Sequence, residues 1–241
     1  MNFCLSARMF TVPGTRNQFE LNIEEFIRFA KSVGYDGITL RPGQLDHRTS
    51  SEDVKRISDL LNQNDMVCSF AMGGTVGNEE SYNPHCKLVD DVLRIGCRYI
   101  QPWVQNESGI PWIQKLCDYA ADRDVRVAPQ LHDNTLHDTV PRCLNLFEKV
   151  DRENFGLNFE ASHLLLQGAD IQGAEAVKAL GCKIFTVSVQ NYKKENGNSI
   201  PVLPGDPDGV DFEEVFGAIK EIGLDGFVTH MSSNYPDMDN E

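Results

Sequence analysis

A short stretch of sequence occurs near the start of the chain and again near its end, and it constrains the fold more than any other feature. Lys31–Ile38 reads KSVGYDGI and Lys220–Phe227 reads KEIGLDGF. Leu93–Ile100 (LRIGCRYI) and Ala179–Phe185 (ALGCKIF) are looser copies. Each copy leaves an apolar stripe of helical spacing, reaches a glycine and runs into an apolar or aromatic segment. Glycine at that point supplies the left-handed residue that ends a helix, so each copy reads as a helix-to-strand junction. Strand starts recur about every 30 residues, the size of one βα unit.

The expected strands are Asn2–Ala7, Gly37–Arg41, Val67–Met72, Tyr99–Val104, Arg126–Leu131, Gly156–Glu160, Lys183–Val189 and Gly226–His230. Most are short and apolar, as suits parallel strands buried on both faces. Between them, Ile23, Phe26, Ile27 and Ala30 make one helical stripe, and Asn22 with Glu25 has the spacing of a capping box. Val54–Leu61, Ile113–Ala120, Val140–Val150 and Phe212–Ile222 carry similar stripes. No Gly-x-Gly-x-x-Gly follows the first strand, which removes the main support for a dinucleotide-binding sheet. The pattern therefore predicts an α/β fold, a (β/α)8 TIM barrel formed as one domain over residues 1–241. Gln190–Val210, rich in Gly, Asn, Pro and Asp, is expected to be a loop over the barrel mouth. Only a short polar stretch follows the last strand, so the eighth helix is expected to be missing or truncated, or its place taken by a partner subunit.

Charge and composition narrow the partners. The formal net charge is −14, with no basic cluster beyond Lys193 and Lys194, which argues against nucleic acid and anionic membranes. No apolar run approaches the roughly 18 residues of a membrane span, and no secretory signal pattern opens the chain. The seven cysteines contain no Cys-x-x-Cys pair and fall mostly in apolar stretches. They are expected to be free thiols in a reducing cytoplasm. Neither a Gly-x-Ser-x-Gly elbow nor a phosphate-binding glycine loop is present.

In such a barrel the chemistry sits where strands end. That rule selects Arg41, Gln101 and Trp103, Gln130 and His132, Glu160 with His163, then Ser188, Gln190 and Asn191, and finally His230 with Met231. A carboxylate at the end of an apolar strand must be paired, metal-bound or catalytic, because burying it alone is costly. Glu160 is therefore the sharpest candidate, with an ion pair to Arg41 as the structural alternative. His132 and His163 suit proton transfer or metal ligation. Trp103 would wall a sugar face, and Arg41 would hold an anionic group. His85 is expected in a loop, and Asp133, His137 and Asp138 on a solvated loop or at the start of the next helix.

Phe26–Leu40, Val125–His132, Phe155–Asp170 and Pro201–Phe212 running on to Gly226–Val228 resemble the xylose-isomerase-like barrel superfamily. That group includes sugar isomerases and epimerases, inosose dehydratases and endonuclease IV. The resemblance implies a divalent metal (Mn, Mg, Zn or Co) held by Glu, Asp, His and Glu on strands five to eight. Those positions fall on Gln130, Glu160, Ser188 and Met231, while His163 matches a histidine that touches substrate. Gln130 is no base at neutral pH, and Met231 is a poor ligand for Mg or Mn. The usual two-glutamate proton exchange is thus not expected to run unchanged.

The expectation is an isomerase- or epimerase-like enzyme, or a related lyase, acting on a sugar, keto-sugar or cyclic polyol. Glu160, His163 and His132 would be catalytic. Arg41, Gln101, Trp103, Gln190, Asn191 and His230 would bind substrate, and a remodelled metal site would use Glu160, Gln130 and His132. The alternative is a non-catalytic carbohydrate-binding barrel or a subunit that requires a partner, and the expected partners are a small-molecule carbohydrate with a homo-oligomer or a partner subunit as the assembly. A lysine Schiff-base mechanism lacks a lysine at any strand end.

Overall fold

Each expected strand has a counterpart in the structure, a computed structural model that describes residues 1–195 and 197–231, although the fifth is cut back from Arg126–Leu131 to Arg126–Val127. They are β1 (Asn2–Ser6), β2 (Gly37–Leu40), β3 (Val67–Thr75), β4 (Tyr99–Trp103), β5 (Arg126–Val127), β6 (Leu157–Phe159) and β7 (Ile184–Val189). A hairpin of β8 (Asn191–Glu195) and β9 (Asn198–Val202) follows, and β10 (Phe227–His230) completes the set. The helices are α1 (Ile23–Ser32), α2 (Ser51–Gln63), α3 (Glu79–Arg94), α4 (Ile110–Ala121), α5 (Val140–Val150), α6 (Ala161–Gln167), α7 (Gly173–Leu180) and α8 (Phe212–Glu221). The expectation of a missing eighth helix falls on residues outside those described.

Eight strands pair in parallel in the order β5-β4-β3-β2-β1-β10-β7-β6. Isolated bridges Val127–Phe155 and Gln130–Asn158 span the remaining gap between β5 and β6, with Leu131 N donating to Asn158 O at 2.9 Å. The fold is a TIM barrel.

The repeated sequence segment does the same work at both ends of the chain. α1 ends as Gly34 takes φ +91°, with Tyr35 N donating to Ala30 O at 3.0 Å. α8 ends as Gly223 takes φ +70°, with Leu224 N donating to Ile219 O at 3.3 Å. The second glycine of each copy serves packing instead. A Cβ on Gly37 would lie 2.5 Å from Val67 O, and one on Gly226 would lie 2.8 Å from Phe185 O. The first glycine turns the chain out of the helix, and the second seats the new strand against its neighbour. At the other end of α1, the Asn22–Glu25 capping box is formed.

Strand alternation divides the interior into two environments. One face of each strand points outward to the helices, carrying Val127, Leu157, Phe159, Val187 and Val228 into the aliphatic core. The other face points into the barrel and is polar. Ser69 and Thr229 meet across it at 3.1 Å, and Thr39 Oγ1 donates to Ser6 Oγ at 3.3 Å.

Several local expectations are corrected. Gln190–Val210 is not a plain loop but carries the β8–β9 hairpin, whose five residue pairs run from Asn191–Val202 to Glu195–Asn198. His85 is not in a loop. It lies buried in α3 with its ring nitrogens 2.7 Å from Ser81 O and 3.1 Å from Gly74 O, and a Cβ at Gly73 would collide with the ring. His137 and Asp138 precede α5 as buried residues, not solvated ones, with Asp138 paired to Arg142 at 2.8 Å. All seven cysteines are free thiols. Among the described residues, no helix is long and apolar enough to cross a membrane.

Candidate active site

Glu160 directly follows β6 at the start of α6, two residues beyond Asn158, and is fully buried. Its Oε2 accepts a hydrogen bond from Gln130 Nε2. Its Oε1 accepts from Gln190 Nε2 and, at 2.9 Å, from Ser162 Oγ. The alternative of an ion pair to Arg41 is not found among the described residues, and neutral amides and a hydroxyl hold the carboxylate instead. Three donors on one buried carboxylate replace the water it loses.

Below Glu160 lies a chain of amides and one hydroxyl. Gln101 Nε2 donates to Gln130 Oε1 at 2.8 Å, and Asn158 Nδ2 donates to Gln101 Oε1 at 2.9 Å. Ser188 Oγ and the Asn158 side-chain amide exchange contacts at 2.9 and 3.1 Å, and Ser188 Oγ reaches Met231 Sδ at 3.3 Å. Gln101, Gln130 and Gln190 are thus bound into the scaffold around Glu160, with Tyr192 OH donating to Gln190 Oε1 at 3.2 Å.

Outside Glu160 the layer changes character. His163, on the first turn of α6, turns Nε2 to within 3.2 Å of Glu160 Oε1 and Nδ1 to within 3.3 Å of Asp133 Oδ1. Both are charge-contact distances, yet neither ring nitrogen has a hydrogen-bond partner among the described residues. Burial holds the His163 imidazole below its ordinary pKa, against the opposing pull of Glu160. His132 Nδ1 lies 2.8 Å from the same Asp133 Oδ1, and the two imidazole centroids are 3.9 Å apart. Trp103 stands edge-on to His132 at 5.0 Å and 77°, forming a half-buried aromatic wall.

The structure brings Glu160, His163, His132, Gln130, Gln101, Trp103 and Gln190 together. The other expected site residues sit apart. Asn191 spends its side chain on the segment after the hairpin, accepting from Val210 N at 2.8 Å and donating to Leu203 O at 3.1 Å. His230 lies on the outward face of β10, between inward Thr229 and Met231, and meets Tyr35 OH at 2.7 Å. Arg41 is half-buried with Nε unpartnered among the described residues. Burial, then Arg8 and Arg16, brings its guanidinium down to about 10. Asp133 was not expected in the site. The signal for it was its place beside His132 at a strand end, but the direction of its side chain depends on the turn that follows. There Asn134 takes φ +58° and Thr135 Oγ1 donates to His132 O at 2.7 Å.

The chain matches the family described as xylose isomerase-like TIM barrel over residues 27–240, and it belongs to that family. D-allulose 3-epimerase from Methylomonas sp. superposes with a TM-score of 0.74 at 18% identity, over 97% of this chain and 85% of that one. A xylose isomerase-like TIM barrel protein from Mycobacterium smegmatis, in complex with magnesium, superposes with a TM-score of 0.77 at 14% identity, over 98% and 91%. A 58-residue stretch is 36% identical to a 3-dehydroshikimate dehydratase of Bacillus anthracis, covering 24% of this chain and 21% of that relative.

The magnesium complex raises the question of which residues here suit a cation. Gln130, Glu160, Ser188 and Met231 offer one carboxylate, whose oxygens already accept from Gln130, Gln190 and Ser162, and Ser188 is turned to the Met231 sulfur. That set does not fit Mg or Mn, which take cages of free oxygens. His132, Asp133 and His163 offer two imidazoles and a carboxylate with ligand atoms within 4.8 Å of one another, a set suited to a borderline divalent ion.

Proposed function

We propose that this chain is a sugar isomerase- or epimerase-like enzyme, or a related dehydratase, that moves a proton beside the carbonyl of a sugar, keto-sugar or cyclic polyol. The observation that carries the reading is the contact of Glu160 with His163 at the inner end of the mouth, Oε1 to Nε2 at 3.2 Å. A base that removes a proton from carbon needs a second group able to return one or to steady the oxygen that gains charge. Glu160 is the base in this scheme. His163, kept neutral by burial, and His132, open toward the mouth, supply the acid and the oxyanion contact. Gln130 and Gln190 hold the carboxylate in one orientation, and Trp103 offers an apolar face to the ring or chain of the substrate. Arg41 follows β2, apart from this cluster, and its Nε, unpartnered among the described residues, favours a substrate long enough to reach it with an anionic substituent. The epimerase and dehydratase relatives support this class of chemistry.

The test is exchange of substrate hydrogen with D2O across a panel of keto-sugars and cyclic polyols, followed by NMR. Deuterium is expected beside the carbonyl of at least one member, and not with Glu160→Gln. Absence of exchange throughout the panel, with sugar binding unchanged in Glu160→Gln, would overturn the reading. One observation favours a second reading, a carbohydrate-binding barrel without turnover. Both Glu160 oxygens already accept hydrogen bonds, as expected of a structural carboxylate.

A further inference from the structure

Two imidazole nitrogens converge on one carboxylate oxygen at the mouth of the barrel. His132 Nδ1 is 2.8 Å and His163 Nδ1 is 3.3 Å from Asp133 Oδ1. Ligands bound at about 2.0–2.2 Å around a tetrahedral zinc stand about 3.3 Å from one another. The His163–Asp133 separation matches that spacing, the 2.8 Å His132–Asp133 contact would lengthen by about half an ångström, and all three ligand atoms already lie within 4.8 Å of one another.

His163 supplies an independent observation. Its side chain is 7% exposed and neither ring nitrogen is hydrogen-bonded among the described residues. An imidazole buried with both nitrogens unused has lost its water without a replacement, so it calls for a partner. Nδ1 faces Asp133, while Glu160 lies across the ring at Nε2. A histidine placed between a carboxylate and an open donor set has the layout of a metal ligand oriented from behind by its outer partner. The supporting turn is already in place, because Asn134 at φ +58° and the Thr135–His132 hydrogen bond fix the chain that carries His132 and Asp133. Asp133 is 41% exposed, so an ion has a way in and an open position for water or a substrate oxygen.

We propose that His132, Asp133 and His163 form a binding site for one zinc-class divalent ion, displaced outward from the strand-end ring of Gln130, Glu160, Ser188 and Met231. Two nitrogens and one carboxylate favour Zn2+ or Co2+ over Mg2+. When bound, such an ion supplies a Lewis acid at the mouth. The inference shares His132 and His163 with the reaction proposed above but is tested apart from it, since occupancy is read without turnover.

Metal-stripped protein titrated with Co2+ gives the decisive result, read by visible d–d absorbance and by metal analysis after gel filtration. The expected outcome is one ion per chain with a nitrogen-rich, low-symmetry spectrum. Asp133→Asn and His132→Gln should each weaken binding by tenfold or more. Loss of an outer-shell partner alone typically costs about 10–100-fold, so Glu160→Gln should fall in that range. Ser188→Ala and Met231→Leu should leave binding unchanged. Asp133→Asn keeps the volume of an exposed side chain, so misfolding is no excuse for a lost signal. The proposal is overturned if no stoichiometric binding occurs. It is equally overturned if binding survives both Asp133→Asn and His132→Gln, or if Ser188→Ala or Met231→Leu abolishes it.

Discussion

Gln101, Asn158 and Ser188 form one polar layer inside the barrel, and His132, Asp133 and His163 form another nearer the mouth. Both are built from side chains that dislike burial, yet among the described residues only the inner ones are hydrogen-bonded to one another. Each inner amide or hydroxyl meets another at 2.8–3.1 Å. In the outer layer a nearly buried imidazole has no hydrogen bond among the described residues, and a half-exposed carboxylate faces two rings. Saturated polar groups hold shape, whereas unsaturated ones at a mouth are what a ligand completes. Glu160 sits on the boundary, held from below by amides and touching His163 above.

The largest effect expected across that boundary is on turnover. Glu160→Gln keeps the volume and hydrogen-bonding reach of the side chain but removes the base, so deuterium exchange into substrate should fall by about 10²–10⁴-fold. A loss below tenfold would move the chemistry to the histidines.

Acid stability should show the cost of a buried imidazole with no ligand role. Burial brings His137 down to about 4 from 6.5, so the folded state binds fewer protons than the unfolded one. Its contribution is fully present above about pH 6.5 and is lost as the pH falls toward 4, worth about 3 kcal/mol in all. Denaturant titrations at successive pH values should show that slope, and His137→Leu should flatten it.

The inner layer should respond to a single truncation. Asn158→Ala leaves Gln101 Oε1 and Ser188 Oγ short of partners and should cost about 2 kcal/mol in chemical denaturation. The outer layer should hardly respond, with Asp133→Asn shifting stability by less than about 0.5 kcal/mol in the absence of metal. Comparable losses in the two layers would erase the distinction between them.

The barrel itself was legible because its strands are buried on both faces and read as short apolar runs, and because the repeated glycine segment marks where helices end. The rule of two correctly pairs Gln130 with His132 and Gln101 with Trp103 on the inward face. Applied as strictly at the last strand, it would have turned His230 outward, since Thr229 and Met231 point in. The hairpin was hidden because β8 reads Asn-Tyr-Lys-Lys-Glu, a mostly polar strand with little apolar alternation to reveal it. The involvement of Asp133 was hidden for another reason. Its direction comes from a left-handed Asn134 and a threonine hydroxyl bond, neither of which residue type alone dictates.

The central claim is that the outer layer, and not the strand-end ring, is where this barrel takes a ligand. Thermal unfolding with and without Zn2+ tests it most directly. At 100 times the dissociation constant a bound ion adds about 2.7 kcal/mol, which for a chain of this size raises Tm by roughly 5–10 °C. That rise is expected for the wild type and for Ser188→Ala, and little or none for Asp133→Asn. A rise of equal size in Asp133→Asn, or none in the wild type, would contradict it.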